Sequence, residues 1–506
     1  MTDLHQVADI DLSQLSDFQK ELHFPPKESK EDDEDNLVMS PFLHKFKKIS
    51  WSTQLPEEMQ RAEESDKCIF YANSKFHYLT SSYLVQPLPS IRVRAKFADK
   101  YQICWSHNLG HNITEHGRLL IDEDHAQRIN TVWLDKYSQY YVNQKRKEYL
   151  ESIGNLPFLT DWSTFLPEYN LYLPQPWFYS RRSKALPLFL CKISKVKHEY
   201  KLKRDLQDLL RMRRKDKNGI WKEIKCHPDI IEGAKDDKIP YPSMWGRYSL
   251  ITPAEKNWRE KSNYNIYIDD ILSFQSPNTE KLGKIVEVPV SSYLPVRAFF
   301  CVAENMSAKK INNLSNYTTD MNDLSKGWCP IRTCGMNRGN IPRIAQMDHG
   351  HFDTLEPLNY FPMVPYDKGY LAHSLSYDTT SMNAEVGMTL DPNHQSKILL
   401  KLENTNPMLS TIKHQKSDAK REIDDIDDDD DNDDEKEDKT EREQVTNGNS
   451  SNSIDHPNGN NTVTGKKEKV KKDHDYQVNV TLLITRKLTF SVDKRVVIST
   501  GNNSNS

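Results

Sequence analysis

The residues best suited to chemistry are histidines, cysteines and carboxylates, and they are scattered along the chain. Asp348-His349-Gly-His351 has ligand types that suit zinc, but no third and fourth ligand stands nearby in sequence. A polar loop is the plain reading. Cys329 and Cys334 bracket a turn containing Pro330, and one CxxxxC without a second pair is not a zinc framework. His107 and His111, with Asp122 and Glu123 further on, offer bases. Nucleophilic catalysis also needs an activated nucleophile beside an oriented base, and no GxSxG elbow surrounds them. Gly465-Lys466-Lys467 lacks the earlier glycine and the strand of a phosphate-binding loop. These residues predict no catalytic group, no metal and no cofactor; an enzyme is the weakest expectation.

The elements that would position such groups point to β structure. The chain has 506 residues, enough for two or more domains. Its 26 prolines, 17 glycines, 23 tyrosines and 9 tryptophans suit many short strands joined by turns. Seven scattered cysteines argue for a reducing compartment. No basic-then-apolar leader and no run of about 18 apolar residues is expected to target or span a membrane. The formal charge is only -4, but an acidic tract at Asp424–Asp438 conceals a mildly basic remainder. Residues 192–226 are strongly basic, with a short amphipathic helix suggested by Leu202, Leu206, Leu209 and Leu210. This run could meet nucleic acid or acidic lipid; without interleaved aromatics, a solvated insertion is the plainer reading.

In chain order, residues 1–36 read as a flexible arm and pattern begins near Cys68. Ile91–Phe97 alternates apolar and basic positions, as a strand with one wet face should. Gly110 reads as a turn between Tyr101–Trp105 and Ile113–Ile121. Ile129, Val132, Trp133, Tyr137, Tyr140 and Tyr141 recur at helical spacing. Extended character returns over Leu171–Tyr179 and Ala185–Cys191, and again at the start of Tyr264–Phe274. A second block holds strands at Ile285–Val290, Val296–Val302, Gly369–Ser376, Ala384–Leu390 and Lys397–Leu402. Residues 413–475 cannot bury enough apolar surface to offset ordering entropy, yet strands follow at Val478–Thr485 and Lys487–Val492. That makes 413–475 a loop insertion rather than a tail, in a pattern of sandwiches or jelly rolls.

Cys104-Trp-Ser-His-Asn-Leu-Gly-His-Asn-Ile, followed by Leu119-Leu-Ile-Asp122 and Trp133, resembles a signature of the major capsid proteins of nucleocytoplasmic large DNA viruses. Its carriers here are Trp105, Asn108, Gly110, His111, Ile121, Asp122 and Trp133. Leu171–Arg182 with Ala185-Leu-Pro-Leu is similar to the family's Trp-Phe strand and Leu-Pro strand, through Trp177, Phe178 and Pro187. Pro295–Glu304 with Asn316-Tyr-Thr, and Phe352–Met388, resemble two segments of the second half.

The resemblance implies an all-β chain of two consecutive eight-stranded jelly rolls with long loop insertions. The expected division is 37–283 and 284–506, with insertions at 122–165, 196–245 and 413–475. It further implies a homotrimeric, pseudo-hexagonal capsomer in an icosahedral virion, assembled in the host cytoplasm. Neighbouring capsomers and minor capsid proteins are the implied partners, an inner membrane is a further one through the insertions, and no specific nucleic acid is. The chain departs from the pattern where Asn383-Ala-Glu-Val-Gly replaces a His-Gln-Pro-Ser-Gly run and His116-Gly-Arg-Leu-Leu replaces a Gly-Gly pair. A minor capsid or scaffold paralogue, or a β-sandwich module binding carbohydrate or protein, is the alternative.

Overall fold

The computed structural model describes residues 52–406 and 474–499, apart from 65–66, 143–144, 181–183, 192–195, 234, 262, 378, 380–386 and 494. The N-terminal arm and nearly all of the insertion at 413–475 fall outside these residues.

Among the described residues, sixteen of the strands frame the architecture, eight before residue 260 and eight after. The first set is β1 (Ser52–Glu58), β2 (Lys67–Tyr71), β3 (Tyr78–Leu88), β4 (Thr114–Ile121), β5 (Asp124–Asn130), β6 (Tyr169–Pro174), β7 (Val196–Leu202) and β8 (Ser243–Leu250). The second set is β9 (Tyr264–Gln275), β10 (Ile285–Pro289), β11 (Ser292–Asn305), β12 (Ile331–Arg338), β13 (Ile341–Asp348), β14 (Leu371–Ser374), β15 (Ser396–Leu402) and β16 (Asp475–Phe490). The first set forms two antiparallel sheets in the orders β1-β8-β3-β6 and β2-β7-β4-β5. The second set repeats this as β9-β16-β11-β14 and β10-β15-β12-β13. In both, the first strand pairs with the last, which is jelly-roll connectivity. The expectation of two consecutive jelly rolls is met, each with an eight-stranded frame that further short strands extend.

The pairing also moves several boundaries. Strand β9 lies opposite β16 from Tyr264–Phe490 to Gln275–Asn479, so it goes with the second roll although the expected division placed it in the first. The span 122–165, read as an insertion, contains β5, and 196–245 contains all of β7; both strands are integral to a sheet. Only the segments after them are excursions. Ile91–Phe97 is a strand only to Val93, then a 3-10 turn at Ala95–Phe97. In the basic run, Leu206–Leu209 makes a single helical turn. The chain then extends as Leu210–Lys215, pairing with Trp221–Ile224 on one side and Tyr101–Trp105 on the other.

First-roll strands bury one face. Along β4, Gly117, Leu119 and Ile121 are buried while Glu115, His116 and Arg118 are not. Strand β11 is different: every residue from Val296 to Ala303 is buried. Its alternate side chains serve two cores. Phe299, Cys301 and Ala303 join Val478, Val480, Leu482 and Ile484 inside the second roll. Ala298, Phe300 and Val302 join Leu483, Leu488 and Phe490 in the apolar cluster that runs through the first roll. Full burial of one such side chain stabilises by roughly 1.5–3 kcal/mol. The sheet β9-β16-β11-β14 is thus a shared wall between the rolls, dry on both sides.

Candidate functional site

The most specific chemistry in the molecule is a buried polar node on this shared wall. The segment after Trp105 does not make the expected glycine turn. Asn108 takes a left-handed conformation (φ 50), which asparagine tolerates, and starts a one-turn helix, α1 (Leu109–Ile113). Gly110 sits within it at a close approach: a Cβ there would lie 2.3 Å from Leu173 Cδ2 and 3.3 Å from the Ile153 backbone. Its N–H donates to the Ile153 carbonyl at 2.8 Å.

Helix α2 (Thr131–Tyr140) follows β5, its start capped by the Asn130 side chain accepting from the Trp133 N–H at 2.8 Å. Asp135 on α2 is fully buried and receives three partners. Asn108 Nδ2 donates at 2.9 Å, His111 Nδ1 lies at 2.7 Å, and Tyr317 O–H donates at 2.8 Å from the second roll. His111 Nε2 meets the Tyr149 hydroxyl at 3.0 Å. Asn112 Nδ2 donates to Ser315 Oγ at 2.9 Å. The Asn108–His111 motif and the Asn316-Tyr-Thr motif therefore meet at a residue that neither contains. Gly369 closes the node from outside: at φ +95 its backbone passes Tyr317 so tightly that a Cβ would lie 2.1 Å from the Tyr317 carbonyl oxygen.

Two further ionic groups tie the wall. Lys136 Nζ donates to Thr481 Oγ1 at 2.8 Å and to the Phe300 carbonyl at 3.2 Å; burial lowers its pKa to about 7. Asp270 on β9 accepts from the Arg128 N–H at 2.7 Å, from Arg128 Nη2 at 3.2 Å and from Arg486 Nε at 2.8 Å. Burial would raise the Asp270 carboxyl, but His125, Arg128 and Arg486 outweigh it and hold it below the usual carboxylate range. None of Asp135, Lys136, Arg128 or Asp270 was singled out by sequence reasoning, and Tyr317 entered only within the Asn316-Tyr-Thr motif. The available signal was charge inside an apolar pattern, in Asp135-Lys136 amid the helical aromatics and Asp269-Asp270 within a strand.

The other expected positions are dispersed. Asp122 and Glu123 (φ 52 and 74) form the two-residue hairpin turn that sets Ile121 opposite Asp124. Trp105 is fully buried, and Trp133 lies edge-on to Phe300 at 5.5 Å. Trp177 Nε1 donates to the Tyr200 hydroxyl at 3.2 Å, and the Phe178 N–H donates to Gln127 Oε1 at 2.8 Å. Pro187 lies opposite Tyr78 on β3. Burial raises the Cys104 thiol to about 12, away from a nucleophilic thiolate, and it lowers the His107 imidazole. Burial likewise raises Cys329 to about 12, far from a ready thiolate ligand.

The basic run does meet aromatics, contrary to expectation. Arg211 and Arg213 lie 5.2 and 4.8 Å from the Trp162 ring, and Arg213 lies 4.7 Å from Trp221. These contacts are internal, and Arg211 is also paired with Glu223 at 2.9 Å. The Asp348–His351 motif splits: His349 turns to Asp348 at 2.7 Å, while His351 faces Glu356 at 3.3 Å.

A family model described as the N-terminus of the major capsid protein matches residues 41–248. The major capsid protein of Frog virus 3 is 24% identical over 325 residues, covering 59% of this chain and 68% of its own length. In fold, the chain is similar to the capsid protein of the PBCV-1 quasi-atomic model, with TM-score 0.59 at 10% identity, covering 89% of this chain and 97% of the other. The Faustovirus major capsid protein gives TM-score 0.59 at 6% identity, covering 87% and 90%. The chain is thus similar to the major capsid proteins of large DNA viruses, in sequence over its first half and in fold over most of its length. The buried node joins residues of both rolls through Asp135.

Proposed function

We propose that this chain is a major capsid protein and acts as a homotrimer whose six rolls approximate a hexagon, the repeating tile of an icosahedral shell. The observation that carries this reading is the repeated strand order of the two rolls, fused by a wall buried on both faces. Three copies of such a body place six similar rolls around one axis, and closed cyclic symmetry is the usual form of such assemblies. The second roll's excursion between β13 and β14 supports subunit contact, for it exposes Leu355, Leu358, Tyr360 and Tyr366.

Trp105, Asn108, Gly110, His111, Ile121, Asp122, Trp133, Trp177, Phe178 and Pro187 serve as framework in this reading, holding turns and packing rather than a ligand. Neighbouring capsomers, minor capsid proteins and an inner membrane are the proposed partners, in a virion assembled in the host cytoplasm. The excursions after β5 and β7, with the acidic insertion between β15 and β16, are the segments proposed to distinguish this shell's contacts.

Sedimentation of the purified chain tests the proposal. A mass of three times 59.0 kDa and hexagonal outlines in micrographs are expected; a stable monomer over a wide concentration range would overturn it.

A further inference from the structure

The geometry points to a metal site that sequence spacing conceals: His351 Nε2, Glu356 Oε1 and His373 Nδ1 as three ligands of a divalent transition-metal ion, with zinc the best fit. His351 Nε2 and His373 Nδ1 each lie 3.3 Å from Glu356 Oε1, and all three atoms lie within 4.8 Å of one another. A tetrahedral zinc with bonds of about 2.0–2.1 Å holds its ligand atoms roughly 3.3–3.4 Å apart. The two short edges therefore already have the required length, and the third, no longer than 4.8 Å, must close on binding.

The backbone supplies a reason for this grouping. In a regular α-helix, residues five apart project about 140° from each other, so His351 and Glu356 would diverge. Here residues His351–Leu355 form a single π-helical turn before the helix Glu356–Tyr360. Its i→i+5 closure brings the two side chains to one side, and such isolated π turns recur at functional sites. The third ligand comes from the adjacent strand β14.

The surroundings hold the donors in place. Glu356 Oε2 accepts from the Ser374 N–H at 3.2 Å, which leaves Oε1 as the oxygen facing both imidazoles. Ring contacts with Phe299 at 5.4 Å and Phe352 at 5.8 Å fix His373, and Phe352 meets His351 edge-on at 5.0 Å. Orientation of this kind is what ligating side chains receive from their neighbours in metal sites. The carboxylate is buried while both imidazoles keep partial exposure, so an ion can enter and a fourth position stays open to water. Bound zinc would staple the β13–β14 excursion, with its exposed Leu355, Leu358 and Tyr360, to the shared wall. The ligand geometry stands independently of the trimer.

The test uses the full chain, stripped with a chelator and titrated with zinc against a competing chromophoric chelator. One ion per chain is expected. Glu356→Gln and His373→Gln should each weaken binding about 100-fold or more, whereas His349→Gln should leave it unchanged. Circular dichroism of each variant checks folding. Cobalt substitution of the wild-type chain decides the matter even if a variant fails to fold: intense tetrahedral absorption without a thiolate charge-transfer band is expected. Thiolate bands, or affinity unaltered in a folded Glu356→Gln, would overturn the site in favour of a carboxylate merely hydrogen-bonded by two imidazoles. Zinc binding by a monomeric chain would sink the capsomer reading alone.

Discussion

Strand β3 in the first roll and β11 in the second occupy the same place in the same strand order, yet they are buried differently. Along β3, Ser82, Leu84, Gln86 and Leu88 are buried while Ser81, Tyr83, Val85 and Pro87 are only half-buried. Along β11, Val296 through Ala303 are buried without a break. Topology is shared, but only the second roll's sheet is an internal wall. Identical connectivity therefore says little about which sheet couples the halves; the loss of alternation in β11 and β16 says it directly.

The largest way to break this comparison is Asp135→Ala. It strands His111, Asn108 and Tyr317 in a dry environment and should cost about 4 kcal/mol in chemical denaturation; a loss below 1 kcal/mol would show that the node does not couple the rolls. Next comes a pair of neighbours, Phe299→Ala and Phe300→Ala, each expected to cost about 3–4 kcal/mol. Only Phe300→Ala removes packing from the first-roll side, so calorimetry should resolve two transitions in that variant and one in the other.

Asp270→Asn should cost about 2–3 kcal/mol at neutral pH by leaving Arg128 and Arg486 short of a counter-charge. Because the folded carboxyl lies below its unfolded value, its stabilisation is complete above the unfolded pKa and is lost as pH falls through the folded one. The wild type should thus lose its advantage over Asp270→Asn in acid, and a gap constant from pH 6 to 2 would contradict the ion cluster. The smallest effect belongs to Lys136. Its folded pKa of about 7 lies below the unfolded value, so the unfolded state binds more protons and stability should rise between pH 7 and 9 by about 2 kcal/mol. Lys136→Met, compared at both pH values, should lack that rise.

Much of the fold was legible because alternation and apolar runs report burial directly. Val296–Val302 reads as a strand that is apolar but for Arg297, and both of its faces are buried. The breaks came where tertiary contacts override local pattern. Gly110 suggests a turn, yet it is demanded by Leu173 and Ile153, far along the chain. β5 and β7 looked like insertion because Asp124–Asn130 and Val196–Leu202 carry many polar residues on their wet faces. The node was illegible for another reason: Asp135 acquires meaning only from partners 24, 27 and 182 residues away. The His351–Glu356–His373 cluster was hidden because a π turn has no marked periodicity in sequence.

The placement of β16 at the centre of the wall has a consequence for biosynthesis. Phe300 finds its partner Thr481 only after about 180 further residues have been made, and at ~5–20 residues per second that is a wait of about 10–40 s. Throughout it, β9 and β11 offer unpaired edges flanked by apolar side chains, the kind of template on which other strands add. The strand that completes the wall is thus also the one whose lateness leaves nascent copies most open to mispairing. A host cell making many copies at once would place its heaviest chaperone demand in that interval.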